Sequence, residues 1–355
     1  MKSDGQRTDN ATAETPRTFI TKRRTGEGFA IIFLSAADQE ELVDMKDILV
    51  CIEESLEQYS AHQTDTPIRT VLPFGEENSS IVMPSAAPLL GAMGLKYVTV
   101  VPSNADRGKK VIQGIVCLAD TETGEPLALL EGSYLTKLRT GALSGVATDY
   151  LARRDAKTLG IIGTGEQAEG LCAAVFAVRE IETVYLYNRT AEKAAGFAER
   201  IVAETGKHVV ICTDPSAVVK ASDILVTATS SPDPVFTGPL NHGTHVNAVG
   251  SFRPDMQELP STAICSASKV VVECAEAALA EAGDLCIPIR DGHFSPNRLH
   301  GELGFIISGQ LHGRESEEEI TVFKSVGLAI ADVVVAKHLY DKALAAGKGT
   351  AIDLS

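Results

Sequence analysis

No stretch of this chain approaches the ~18–20 consecutive apolar residues that a membrane-spanning helix needs. Its apolar runs, such as Phe29–Leu34, are strand-sized. Residues 1–28 are polar and charged, without the apolar segment of a secretory signal; they read as a flexible leader. Cysteine is scattered: seven residues, an odd number, with no C-x-x-C spacing. That argues against a disulfide framework and fits reduced thiols in a cytoplasmic protein. Basic charge is in short supply. Lys and Arg number 32 against 47 Asp and Glu, a net charge of −15. Nucleic acid is thereby disfavoured as a partner, because phosphate binding needs clustered Lys and Arg. No internal repeat occurs, and no low-complexity segment outside the leader.

The 355 residues, 44% of them apolar, are enough for two domains with full cores. The first runs over 29–150. Phe29–Leu34 reads as a strand, Ser35 as the N-cap of a short helix, and Met45–Tyr59 as a helix with Ile48, Leu49, Ile52 and Leu56 on one face. Short apolar runs (Ile68–Leu72, Ser80–Met83, Leu95–Val101, Val111–Ala119 and Pro126–Leu130) are then separated by turn residues, as in an antiparallel sheet. Thr136–Ala152 reads as a helix. From 151 to 312 strands alternate with helices, which predicts a doubly wound parallel sheet. In the remainder, 313–355, a long helix over Glu317–Leu339 is expected to pack back on the first domain, with the acidic run Glu315–Glu319 as its solvated start. His242 and His245, three apart and without a third ligand nearby, read as loop or surface residues; no metal site is expected. The fold class is α/β: a Rossmann sheet plus a domain built on an antiparallel sheet.

Between the strand Thr158–Ile162 and the next helix lies Gly163-Thr164-Gly165-Glu166-Gln167-Ala168. This is a G-x-G-x-x-A fingerprint in its required setting. The first Gly permits the tight turn, the second admits a pyrophosphate, and the small third residue allows helix and strand to pack closely. The next strand ends in Tyr187-Asn188-Arg189-Thr190, with no carboxylate to bind a ribose 2′-hydroxyl. Arg189 offers a fork for a 2′-phosphate, with Asn188 and Thr190 as polar neighbours. NADP(H) is therefore expected in preference to NAD(H). Thr227, Ala228 and Thr229 end a strand facing the adenosine side. Val249, Gly250 and Ser251 end one in the nicotinamide neighbourhood.

Lys96 sits in an apolar strand, and Arg69 and Arg139 are isolated basic residues in the same domain. A charge in an apolar run is costly unless paired. Three such residues point to a pocket for a carboxylate-bearing substrate. Gly91-x-x-Gly94-x-Lys96, Leu135-Thr-x-Leu-Arg139-Thr140-Gly-Ala, Gly163-Thr-Gly165-x-Gln167-Ala168, and Gly301-Glu-Leu-Gly304 followed by Glu318-Glu-Ile-Thr-Val-Phe-Lys324-Ser-Val-Gly327 together resemble the ornithine cyclodeaminase/mu-crystallin family over residues 30–345. The resemblance implies a Rossmann domain, a substrate-binding and dimerisation domain, and a homodimer. It also implies that Arg69 and Arg139 clamp a carboxylate, that Lys96 faces the reacting carbon–nitrogen bond, that Met83 lines the pocket, and that Thr140 joins the cofactor side. Asp255 is expected to position Lys96 or a water. Ornithine cyclodeaminase itself has an Asp where this chain has Phe252, and Ser251-x-Arg253-Pro254-Asp255 is closer to the ketimine-reductase branch. The expected activity is reduction of a small α-imino acid, or the matching amino-acid (alanine-type) dehydrogenation. A cyclodeaminase that releases ammonia and a non-catalytic nucleotide-binding protein are the alternatives.

Overall fold

In the computed structural model, residues 30–354 are described; the leader over 1–28 and Phe29 lie outside them. The chain opens with β1 (Ala30–Leu34), α1 (Ala36–Leu42) and α2 (Met45–Ser60). Ser35 and Asp38 form the capping box that starts α1, each bonding the other's backbone amide. Five strands follow: β2 (Thr70–Phe74), β3 (Asn78–Ala87), β4 (Ala92–Val100), β5 (Ile112–Ala119) and β6 (Pro126–Glu131). Helix α3 (Gly132–Leu151) starts on the Glu131 carboxylate, which accepts from the Tyr134 amide at 2.7 Å.

The second half contributes β7 (Thr158–Ile162), α4 (Ala168–Val178), β8 (Thr183–Tyr187), α5 (Ala191–Thr205), β9 (His208–Ile211), α6 (Pro215–Ala221), β10 (Ile224–Thr227) and β11 (His245–Ala248). It continues through α7 (Ser261–Ser266), β12 (Lys269–Val272), α8 (Ala275–Glu281), α9 (Gly283–Arg290), β13 (Gly301–Glu302), α10 (Leu303–Ile307) and β14 (Thr321–Lys324). The chain closes with α11 (Ala329–Ala346) and β15 (Thr350–Asp353).

Two sheets result. The first has the order β15-β1-β6-β5-β4-β3-β2. It is mixed rather than wholly antiparallel, because β1 runs parallel to β6. The second, β13-β12-β14-β11-β10-β7-β8-β9, is parallel throughout. Its strand order reverses between β7 and β10, which is where doubly wound sheets open a ligand crevice at their carboxyl edge. Helices α2, α3 and α11 fill the space between the sheets. One large core cluster runs from Leu34 on β1 to Ala343 on α11.

Three expectations for the later chain are corrected. The helix expected over Glu317–Leu339 is a strand and a separate helix. All four residues of β14 are buried, which a strand in the middle of a parallel sheet requires and an amphipathic helix does not allow. The second sheet accordingly continues past residue 312 to Lys324. The acidic run Glu315–Glu319 forms a turn instead of a helix start, and Glu315 and Glu319 close on the Lys269 ammonium at 2.5 and 3.4 Å. His245 is fully buried on β11, bonded to Thr321 Oγ1 and Asn247 Oδ1. Burial lowers its pKa to about 3, so the ring stays neutral. Among the described residues no helix is long and apolar enough to cross a membrane.

Candidate active site

The strand exits at the carboxyl edge of the second sheet form a crevice of about 420 Å³, lined by Gly163, Gly165, Asn188, Arg189, Thr190, Ala228 and Thr229 among others. Gly163 adopts φ +98°, and a Cβ there would lie 2.6 Å from the Ala228 carbonyl oxygen, so the turn requires glycine. At Gly165 a Cβ would meet nothing within 4 Å. The polar side chains beside this turn are under-used: Thr164 Oγ1 and Gln167 Oε1 are buried without a hydrogen-bond partner. An open cradle with idle polar atoms, at the foot of α4, fits a dinucleotide pyrophosphate.

The remaining cofactor-side residues take varied positions. Ala168 is fully buried as the first residue of α4. Glu166 is exposed and lies 3.6 Å from Lys110. Asn188 is occupied by the backbone: its Oδ1 accepts from the Thr164 amide and its Nδ2 donates to the Thr190 carbonyl. It shapes the turn and is not free to meet a phosphate. Arg189 and Thr190 are exposed in the crevice, and Lys193, which the sequence did not single out, joins them there. Thr140 is buried on α3, outside the crevice lining.

Thr227, Thr229, Gly250 and Ser251 converge on one buried carboxylate. Glu258 accepts from the amides of Thr229 (2.6 Å), Gly250 (2.7 Å) and Ser251 (3.1 Å) and from Thr227 Oγ1 (3.1 Å). The Ser251 hydroxyl turns inward and donates to the Met256 carbonyl. Burial pushes the pKa of Glu258 up, opposed by the Lys324 charge. Lys324 itself pairs with Asp284 at 3.1 Å, both side chains fully buried. The exits of β10 and β11 are thus fixed from beneath.

The basic residues of the first domain meet behind a second cavity of about 310 Å³, lined by Tyr59, Arg69, Met83, Glu281, Gly327 and Leu328 among others. Strand parity explains the buried lysine. Lys96 shares the inner face of the first sheet with Ala92 and Val98, opposite Met83 on β3. It faces α11, where the Asp332 carboxylate lies 2.8 Å from Nζ. Arg139 on α3 donates from Nε to the same carboxylate at 3.0 Å. Lys96 is 2% exposed and Asp332 0%. Arg69 pairs with Glu281 at 2.6 Å and donates to the carbonyls of Val326 (2.9 Å) and Phe252 (3.0 Å). Burial, then the Arg139 and Arg69 charges, pull the Lys96 pKa down; Asp332 pulls it back, and the balance is about 8.

Asp255 does not serve Lys96. It lies on an exposed loop, 71% accessible, bonded to its neighbour Arg253 at 3.1 and 3.2 Å. The carboxylate that meets Lys96 is Asp332. The sequence carried a signal for Asp332, a lone carboxylate in Ala329-Ile-Ala-Asp332-Val-Val-Val, but no sign of which cation it would meet.

With the geometry established, comparison with known proteins is informative. The family described as "Ornithine cyclodeaminase/mu-crystallin family" matches residues 30–347. The chain belongs to the ornithine cyclodeaminase/mu-crystallin family. A Bacillus cereus protein of this kind, a Δ1-pyrroline-2-carboxylate reductase, is 57% identical over 324 residues, covering 91% of this chain and all of the relative. Among solved structures, the Thermococcus litoralis Δ1-pyrroline-2-carboxylate reductase in complex with NADH and L-proline matches with TM-score 0.87 and 38% identity, over 90% of this chain and 99% of that one. An archaeal alanine dehydrogenase dimer with bound NAD matches with TM-score 0.85 and 33% identity, over 92% and 100%.

Gly163→Ala should abolish tight nucleotide binding, because both the positive φ and the 2.6 Å approach to Ala228 forbid a side chain. Fluorescence titration with NADH and NADPH checks this; a dissociation constant within twofold of wild type would contradict the crevice assignment.

Proposed function

We propose that this chain reduces a small cyclic α-imino acid, Δ1-pyrroline-2-carboxylate, to L-proline with NAD(P)H. The observation that carries the reading is the buried cluster of Lys96, Arg139 and Asp332. Lys96 and Arg139 share the single carboxylate of Asp332, so the buried cluster carries one more cation than anion; Arg69 and Gly327, which packs on the Arg139 guanidinium, line the adjoining cavity. A substrate carboxylate completes that balance.

Bound NAD(P)H supplies the hydride that adds to the carbon of the C=N bond. The chain's own residues do the rest. Arg69 and Arg139 bind and orient the substrate carboxylate, which turns an encounter into an aligned pair. Lys96 holds positive charge toward the imine nitrogen as electrons arrive there, and donates a proton when one is needed. Asp332 orients Lys96. Phe252 brings no carboxylate to the strand exit and uses its carbonyl to hold Arg69, so the site lacks the acid that cyclodeamination uses to handle an amino group. That favours net reduction over ammonia release.

NADP(H) is the preferred cofactor in this reading. Arg189 and Lys193 line the adenosine end of the crevice, and among the described residues neither has a carboxylate partner. The protein acts as a homodimer. Leu72, Leu95, Tyr97 and Ile115 alternate onto the outer face of the first sheet and are each at least one-third exposed; an apolar patch of this kind marks an interface. Seven free thiols suit a cytoplasmic setting.

The decisive assay offers Δ1-pyrroline-2-carboxylate, its six-membered homologue, pyruvate with ammonia, and ornithine with each nucleotide. Oxidation of the nucleotide only with the cyclic imines is expected; ammonia release from ornithine without net nucleotide change would replace the proposal with cyclodeamination. Lys96→Met should cost about 10²–10⁴ in kcat. In the wild type, the ammonium is lost as pH rises through about 8. Hence kcat/KM for reduction should fall above that pH, and kcat/KM for proline oxidation, which needs the neutral amine, should rise through it. A flat profile between pH 7 and 9 in both directions would remove Lys96 from the chemistry. Arg189→Ala should weaken NADPH binding at least tenfold and leave NADH within twofold; equal losses would mean that Arg189 reads no 2′-phosphate. Tyr97→Glu should convert the dimer seen by sedimentation to monomer, and an unchanged mass would assign that face another role.

A further inference from the structure

Glu273 follows the last residue of β12 and is fully buried. Its Oε1 accepts three hydrogen bonds from the turn between β14 and α11: from Ser325 Oγ at 3.1 Å, and from the amides of Val326 and Gly327 at 2.7 Å each. Its Oε2 has no hydrogen-bond partner. A half-satisfied buried carboxylate is a costly way to hold a turn, so what the turn carries matters.

The turn reaches both arginines. The Val326 carbonyl accepts from Arg69 Nη1 at 2.9 Å. Gly327, at φ +92°, lies against the Arg139 guanidinium, and a Cβ there would sit 3.1 Å from Nη1. The turn also sets the start of α11, whose first turn presents Asp332 to Lys96 and Arg139. Gly327, Leu328 and Ala329 line the substrate cavity. One oxygen therefore fixes a segment that touches Arg69, Arg139 and, through α11, Lys96.

We propose that Glu273 is a positioning residue for recognition of the substrate carboxylate, acting through the Ser325–Gly327 turn on Arg69 and Arg139. The proposal rests on the reading that these arginines bind that carboxylate. Among the described residues Glu273 bonds only the Ser325–Gly327 turn and does not line the dinucleotide crevice, so its loss should separate the two ligands. A neutral amide at this position keeps one acceptor but loses the added strength of charge-assisted bonds.

The test compares Glu273→Leu, Glu273→Gln and Arg139→Met, measuring KM for Δ1-pyrroline-2-carboxylate, kcat, and the separate dissociation constants of L-proline and NADPH. Glu273→Leu should raise KM and the proline constant at least tenfold, move kcat less than KM, and leave NADPH within twofold. Glu273→Gln should recover part of the loss, at three- to tenfold. An unchanged KM in Glu273→Leu, or equal losses for proline and NADPH, overturns the proposal. If the leucine variant does not fold, Glu273→Gln decides: a KM raised at least threefold with NADPH unchanged supports the role, and wild-type constants overturn it. Arg139→Met separates the two levels of the argument. If it raises KM while Glu273→Leu does not, Glu273 alone loses its role. If Arg139→Met leaves KM unchanged, the carboxylate assignment itself fails.

Discussion

Lys96, Arg139 and Asp332 arrive from β4, α3 and α11, three segments far apart in sequence, and meet where solvent does not reach. An ammonium and a guanidinium against one carboxylate is an unbalanced arrangement. Removing one partner of a buried pair costs roughly 3–5 kcal/mol, and an isolated buried cation costs more than a surface one by a similar margin. The fold tolerates the imbalance because the sheet's parity leaves Lys96 no outward alternative, and α11 and α3 pack against its strand. Much of the chain's packing serves to hold this triad in place against its own electrostatics. Burial first, and then the Arg139 charge, hold the Lys96 pKa below the usual lysine value.

The same economy governs the carboxyl edge of the second sheet. Strand exits in a doubly wound sheet end in backbone amides that need partners. Here buried carboxylates supply them: Glu258 under the exits of β10 and β11, Glu273 under that of β14, and Asp284 under the Glu258 and Leu259 amides. Lys324 compensates part of this negative charge. Loops elsewhere are the mobile part of a protein; these are tied down by side chains that no ligand touches. Ties of this kind fix the exits of β10 and β14, whose following residues line the two cavities.

What the sequence disclosed follows from how local each signal is. The dinucleotide turn is contiguous: strand, Gly163, Gly165, Ala168 and helix lie within a dozen residues, and steric demands there act on neighbours. Lys96, Arg69 and Arg139 were legible as misplaced charges, since an apolar run makes a lone cation conspicuous. Their partners were not, because pairing Lys96 with Asp332 depends on how α11 returns across 236 residues of chain. Asp255 attracted attention by lying near a strand exit, but nearness in sequence does not aim a side chain, and Arg253 is two residues away. β14 was missed for a related reason. Thr321-Val-Phe-Lys324 is short, ends in a charge and precedes a helix, so its periodicity blends into that of α11; only insertion between β11 and β12 distinguishes it. Glu258 and Glu273 read as ordinary acidic residues near helix starts, and nothing in their neighbourhoods foretells full burial.

The chemistry that this architecture suits can be argued from charge alone. Reducing an imine sends an electron pair onto nitrogen, so the transition state gains from positive charge near that atom and from a carboxylate anchor that keeps the carbon in line. Deamination needs more: a basic group to take a proton from an amine and to manage the departing ammonia or an incoming nucleophile. Among the described residues, the carboxylate bonded to the cluster, Asp332, is committed to Lys96 and Arg139, and Glu281 is committed to Arg69. Phe252 contributes a carbonyl already used by Arg69. With its acids spent on holding cations, the site presents positive field and little free base. That composition serves the arrival of a hydride at carbon far better than the removal of nitrogen from it.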